Sequence, residues 1–118
     1  MFMSTVMDTK SAIEAFSALA QPTRLEAVRL LVRAGENGLA AGEVAARLGV
    51  RHNLMSNHFN ILVRAELLKA ERRGRSIVYC ARFDTLRDII GFLMTDCCSG
   101  LPEIVEGLEN EALLEGTN

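Results

Sequence analysis

The stretch Ala40–Ala81 combines two short amphipathic helical segments, a glycine stop between them, and two β-rich runs around a basic turn. Few small folds accommodate that order. The first segment, AAGEVAARLG over Ala40–Gly49, sets Val44 and Leu48 four residues apart and ends on Gly49, where a helix C-terminus belongs. The second is expected over about 53–64, with Met55, Phe59 and Leu62 on one face. Opposite that stripe stand Asn53, Ser56, Asn57 and Asn60. Leu67–Arg72 and Ser76–Ala81 then read as a hairpin, a wing over about 67–81 whose turn is supplied by Gly74. A helix that is apolar inward and carboxamide-rich outward has the shape that enters a DNA major groove.

The net charge of −2 conflicts with a nucleic-acid partner only until it is resolved along the chain. Residues 1–50 are balanced, with five basic and five acidic groups. Residues 51–81 carry six basic groups against two acidic ones, and residues 82–118 carry two against eight. Affinity for phosphate depends on the field of the docking face rather than on the total. The basic excess therefore sits where the helix and wing are expected, and an acidic, flexible tail is expected over about 106–118. At 118 residues the chain reads as a single domain, 1–118. No apolar run approaches the ~20 residues of a membrane span, and the N-terminus lacks a basic flank followed by an apolar stretch. A soluble, cytoplasmic protein with no membrane partner is the expectation.

Three further helices complete the pattern. Lys10–Ala20 is amphipathic through Ile13, Phe16 and Leu19 or Ala20. Pro22 starts the next helix, which carries Leu25, Val28, Leu31 and Val32 inward and stops at Gly35. The last is expected from an N-cap at Asp84 to about Cys97, with Leu86, Ile89, Ile90, Leu93, Met94 and Cys97 on its stripe. Gly91 within it suggests close approach by another backbone. The expected architecture is mainly α with a small β-hairpin, a winged helix-turn-helix in the order α-α-α-α-β-β-α. In so small a chain the first and last helices, about 10–20 and 84–98, would leave a large apolar area in water. Pairing them across a two-fold axis covers it and spaces two recognition helices one DNA turn apart.

The segments FSALAQPTRLEAVRLL (Phe16–Leu31), MSNHFNIL (Met55–Leu62) and GRSIVYCARFD (Gly74–Asp84) resemble, in this order, the ArsR family of metal- and metalloid-responsive winged helix-turn-helix repressors. The resemblance covers roughly three quarters of the chain. It implies a homodimer built through the terminal helices, double-stranded operator DNA as partner, and no catalytic residue.

Within that frame Asn57 and Asn60 are the best placed for bases, since a carboxamide pairs in bidentate fashion with adenine. Asn53 and Ser56, at the helix start, can reach bases or hold a phosphate. Arg51 and His52 are expected on phosphates, and wing residues Arg72, Arg73 and Arg75 on the backbone or in a minor groove. His58, beside the inward stripe, reads as a packed histidine rather than a metal ligand.

Three cysteines occur, Cys80 and the adjacent pair Cys97-Cys98. Their odd number argues against a disulfide framework, and a bridge between neighbours strains the peptide. The bland reading places Cys80 and Cys97 in the core and leaves Cys98 unexplained. Soft thiolates select soft centres such as trivalent arsenic or antimony. DCCSGLPEIV (Asp96–Val105) resembles the cysteine-pair tail of arsenite sensors in this family, but Val105 stands near the place of the third cysteine. Cys80 could supply the missing sulfur. Thirteen residues of helix put ~20 Å between its start and Cys97, so Cys80 would have to come from the other subunit. Three thiolates suit arsenite or antimonite; Cys97 and Cys98 alone suit methylarsenite, which exchanges only two oxygens for sulfur. No obligatory cofactor is expected.

Four other readings compete. Zinc or cadmium could be bound by cysteines with Asp84, Asp88 or Asp96. The thiols could respond to oxidation instead. A small thiol enzyme acting on arsenicals is the remote reading: Cys97-Cys98 could serve as nucleophile and resolving thiol, but no Gly-rich anion loop follows a strand. A winged-helix protein-interaction module would lack a use for the basic wing.

Overall fold

A computed structural model describes residues 7–97 and 106–107. Helix α1, Thr9–Leu19, starts where the Asp8 carboxylate accepts a hydrogen bond from the Ser11 N–H at 2.7 Å. Its buried stripe is Ala12, Ala15 and Ala18 rather than the larger residues expected. Phe16 and Leu19 are half-buried against the core, and Ile13 is 60% exposed. Alanine lets neighbouring helices come close, and that displaces the bulky residues to the flank of the contact.

Helix α2, Pro22–Ala34, has the expected bounds, with Gln21 as its N-cap. Val28 and Leu31 are buried as expected, joined by Ala27, whereas Leu25 and Val32 are exposed. A single 3₁₀ turn, Gly35–Asn37, leads into a two-residue strand β1, Leu39–Ala40, that the sequence reading lacked. Helix α3 covers Ala41–Leu48 and closes on Gly49 in the left-handed conformation. Helix α4, His52–Arg64, begins one residue before the expected start, with Arg51 as N-cap. Strands β2, Leu68–Arg73, and β3, Ser76–Ala81, form the wing. They pair antiparallel from Leu68 opposite Ala81 to Arg73 opposite Ser76. The two-residue turn works because Gly74 takes φ +64°, which a side chain disfavours.

The sheet therefore has three strands in the order β1-β3-β2, and the hairpin-only expectation is corrected to that extent. β1 pairs antiparallel with the free edge of β3, Leu39 opposite Tyr79 and Ala40 opposite Val78. Gly38 makes this possible. Its φ is +64°, and a Cβ there would collide with the Tyr79 carbonyl oxygen and lie 2.6 Å from the Cys80 Sγ.

Helix α5, Phe83–Gly91, is capped by Arg82, not Asp84, which sits in the first turn. Thr85 and Ile89 are buried, Leu86 packs partly against the core, and Ile90 and Leu93 are exposed. From Phe92 to Cys97 the chain winds as a π-helix instead of continuing the α pattern. Thr95 Oγ1 donates to the Gly91 carbonyl at 2.6 Å, a side-chain bond to the backbone four residues back that bends helices. Among the described residues nothing lies within 4 Å of a Cβ built on Gly91, so none of them makes the close approach expected there.

One core joins these elements. Met55, Phe59 and Leu62 of α4 meet Val44 of α3, Leu31 of α2, Ala15 and Ala18 of α1, and Leu67, Leu68 and Tyr79 below the wing. The same burial that stabilises the domain thus fixes how α4 is presented.

Candidate nucleic-acid interface

Helix α4 divides cleanly. Met55, His58, Phe59 and Leu62 are buried, while His52, Asn53, Ser56, Asn57 and Asn60 are exposed, as is Arg51 at the N-cap. Side chains one turn apart share a face, so Asn53, Asn57 and Asn60 form a carboxamide row with donors and acceptors free for base edges. All six residues expected to touch DNA on this helix and its cap therefore stand on solvent. The helix is held from behind: the Phe59 and Tyr79 rings stack with centroids 3.9 Å apart.

The wing arginines differ among themselves. Arg72 and Arg75 are exposed at the tip of the hairpin. Arg73 is exposed as well but engaged by its own chain, with Nη2 2.8 Å from Glu71 and Nη1 donating to the Asn37 carbonyl at 3.2 Å. Its guanidinium ties the wing to the turn before β1, a role that the sequence did not suggest.

A second contact escaped the sequence reading. Arg24 Nε donates to the Ala18 carbonyl at the end of α1 at 2.6 Å, and its Nη1 lies 3.4 Å from His58 Nδ1. A guanidinium only donates, so a hydrogen bond between them requires Nδ1 to be the unprotonated ring nitrogen. Burial, and then the positive Arg24, lower the His58 pKa from its ordinary value. The one available signal was a histidine on the apolar side of a helix, next to Phe59.

Of the three cysteines, Cys80 alone has its side chain among those described. Cys80 is 2% exposed, and its thiol donates to the Glu36 carbonyl at 3.5 Å. It lies in a cleft of about 560 Å³ lined also by Glu36, Lys69, Arg82, Phe83 and Asp84. Cys97 ends the π-helical segment, and Cys98 lies outside the described residues. Most of the acidic tail lies outside them too. Asp84 is engaged by Arg82 at 3.0 Å, and that hydrogen bond holds its carboxyl below the usual range. Among the described residues no three His, Cys, Asp or Glu side chains gather as a metal site.

A helical core, a helix-turn-helix with an exposed amide row and a β wing define a winged helix-turn-helix DNA-binding regulator. Known proteins agree. A family model described as "Helix-turn-helix domain" matches residues 19–71. The transcriptional repressor SdpR of Bacillus subtilis (strain 168) is 32% identical over 79 residues, 67% of this chain and 84% of that protein. An ArsR-like transcriptional regulator from Rhodococcus sp. RHA1 superposes with a TM-score of 0.68 at 24% identity, covering 87% of this chain and 93% of that one. The homodimeric winged helix-turn-helix DNA-binding domain Mb0332 from Mycobacterium bovis gives a TM-score of 0.57 at 22% identity, covering 77% and 92%. This chain belongs to the ArsR family of winged helix-turn-helix transcriptional repressors. Among the described residues no helix is long and apolar enough to cross a membrane.

Proposed function

We propose that this protein is a homodimeric repressor that leaves its operator when a trivalent arsenical is captured by Cys97 and Cys98. The observation that carries the DNA half of this reading is the solvent-facing row of Asn53, Asn57 and Asn60 on α4, backed by a fully packed opposite face. Dimerisation is supported by exposed apolar residues on the two terminal helices, Ile13 on α1 and Ile90 and Leu93 on the last helix. Such residues gain by leaving water together. The homodimeric state of Mb0332 supports the same arrangement.

The inducer half rests on thiol chemistry. Two thiols adjacent in sequence suit a centre that exchanges two oxygens for sulfur, which favours methylarsenite over arsenite. Burial of Cys80 beneath the 35–38 turn supports leaving it out of the set, as a packed residue. A ligand bound on the last helix shifts operator occupancy only by its differential affinity for the two dimer geometries. Moving from nearly full to nearly empty needs about 5.5 kcal/mol of such bias.

The test is release of a fluorescent operator duplex by methylarsenite and by arsenite, in the wild type and in Cys80→Ser, Cys97→Ser and Cys98→Ser. Loss of release in Cys97→Ser and Cys98→Ser with release kept in Cys80→Ser is expected. Undiminished release in both variants of the pair removes the arsenical from the reading and leaves the repressor.

A further inference from the structure

Arg24 is the only side chain described above that joins three elements at once around the recognition helix. Its backbone N–H donates to the Gln21 side chain at 2.9 Å, its Nε to Ala18 at the end of α1, and its Nη1 faces His58 on α4. The bond to Ala18 reaches the last turn of a helix whose exposed face carries Ile13. His58 lies on the opposite side of α4 from the carboxamide row and is 8% exposed. Any movement of the α1–α2 corner is therefore felt by the helix that presents Asn53, Asn57 and Asn60.

We infer that Arg24 and His58 form a proton-gated joint that positions the recognition helix, seated while His58 is neutral and unseated when it takes up a proton. This inference rests on the DNA-binding reading and adds a positioning pair to it. The chemistry is that of charge in a confined place. A neutral imidazole can accept from the guanidinium through Nδ1, but a protonated one has no lone pair and carries a charge of the same sign. With the ring buried, solvent does little to screen the repulsion. The elements packed against α4 are α1, α2, α3, β2 and, through Tyr79, β3. Among the described residues Arg24 of α2 is the one charged group on them that acts on His58, so no carboxylate offsets the added proton. The direction of the His58 pKa, lowered first by desolvation and then by Arg24, agrees with this joint.

The chain holds only two histidines. The other, His52, stands exposed at the start of α4. The experiment therefore uses His52→Gln, in which His58 is the remaining imidazole, and duplexes selected from a random pool by the wild-type chain at pH 7.5. Binding is followed by anisotropy from pH 7.5 to 5.5, with circular dichroism at each pH to follow the fold. Affinity is expected to fall below the ordinary histidine value, with a limiting slope of about tenfold per pH unit per subunit. Adding His58→Gln, whose amide oxygen still accepts from Arg24, is expected to flatten the profile. Adding Arg24→Lys, which keeps the charge and one donor, is expected to preserve the downward slope. A flat profile in His52→Gln, or an equal slope with and without His58, overturns the inference. Failure of the wild-type chain to bind any duplex at pH 7.5 contradicts instead the DNA-binding reading beneath it.

Discussion

The ring of Phe59, on the inner face of the recognition helix, lies nearly parallel to that of Tyr79 in the central strand, with 9° between the planes and 3.9 Å between centroids. Phe59 is 1% exposed and Tyr79 9%. This stack is where helix and wing are locked into one rigid reading head. Phe59→Ala should cost about 3–5 kcal/mol, the transfer term plus the cavity left behind. Chemical unfolding reads that loss directly, and operator affinity should fall with it because the carboxamide row loses its backing.

Gly38 and Gly35 both have positive φ but different surroundings. At Gly38 a methyl group would meet the Tyr79 carbonyl and the Cys80 sulfur, while at Gly35 nothing stands within 4 Å. Gly35→Ala should cost about 1–3 kcal/mol of backbone strain alone. Gly38→Ala should cost visibly more, since β1 must separate from β3 to make room. Melting temperatures of the two variants, compared side by side, check the order.

The three wing arginines should not contribute equally to DNA. Arg72 and Arg75 are free to meet phosphates, whereas Arg73 is already engaged by Glu71 and the Asn37 carbonyl. Arg75→Ala should weaken all duplexes alike and reduce the slope of log affinity against log salt by about 1. Arg73→Ala should change that slope less. Salt titrations of the two variants on one duplex distinguish them.

Stability should fall in mild acid through His58. Its pKa is lowered in the folded chain by burial and then by Arg24, so the unfolded chain takes up the proton first. The neutral ring's contribution is fully present above the unfolded value, about 6.5, and is lost as pH falls toward the depressed folded value. Urea midpoints measured between pH 7.5 and 5.5 should decline in wild type, and the decline should shrink in His58→Gln.

Much of this was legible in the chain because it depends on local pattern. Pro22 and Gly35 bound α2, Gly49 closes α3, and the alternation of Met55, Phe59 and Leu62 with asparagines sets the two faces of α4. What escaped depends on tertiary partners. Strand β1 is two residues long, too short for alternation, and exists because β3 offers a free edge beside Gly38. The buried stripe of α1 is alanine because a close helix contact selects small residues there, and hydrophobicity alone points to Ile13 instead. The π-helical end of the last helix leaves no mark in the spacing of Leu93, Met94 and Cys97. In the interface the asparagines were readable, while the ties of Arg73 to Asn37 and of Arg24 to His58 span more than thirty residues of sequence.

The most direct measurement is an anisotropy titration at fixed salt, comparing a duplex selected by the wild-type chain with a scrambled one, for wild type, Asn57→Ala and Asn60→Ala. Each substitution should cost about 1–3 kcal/mol on the selected duplex and leave scrambled DNA nearly unchanged, because a base contact specifies whereas a phosphate contact does not. An unaltered ratio between the two duplexes in both variants would contradict the assignment of this helix face as the reader of DNA.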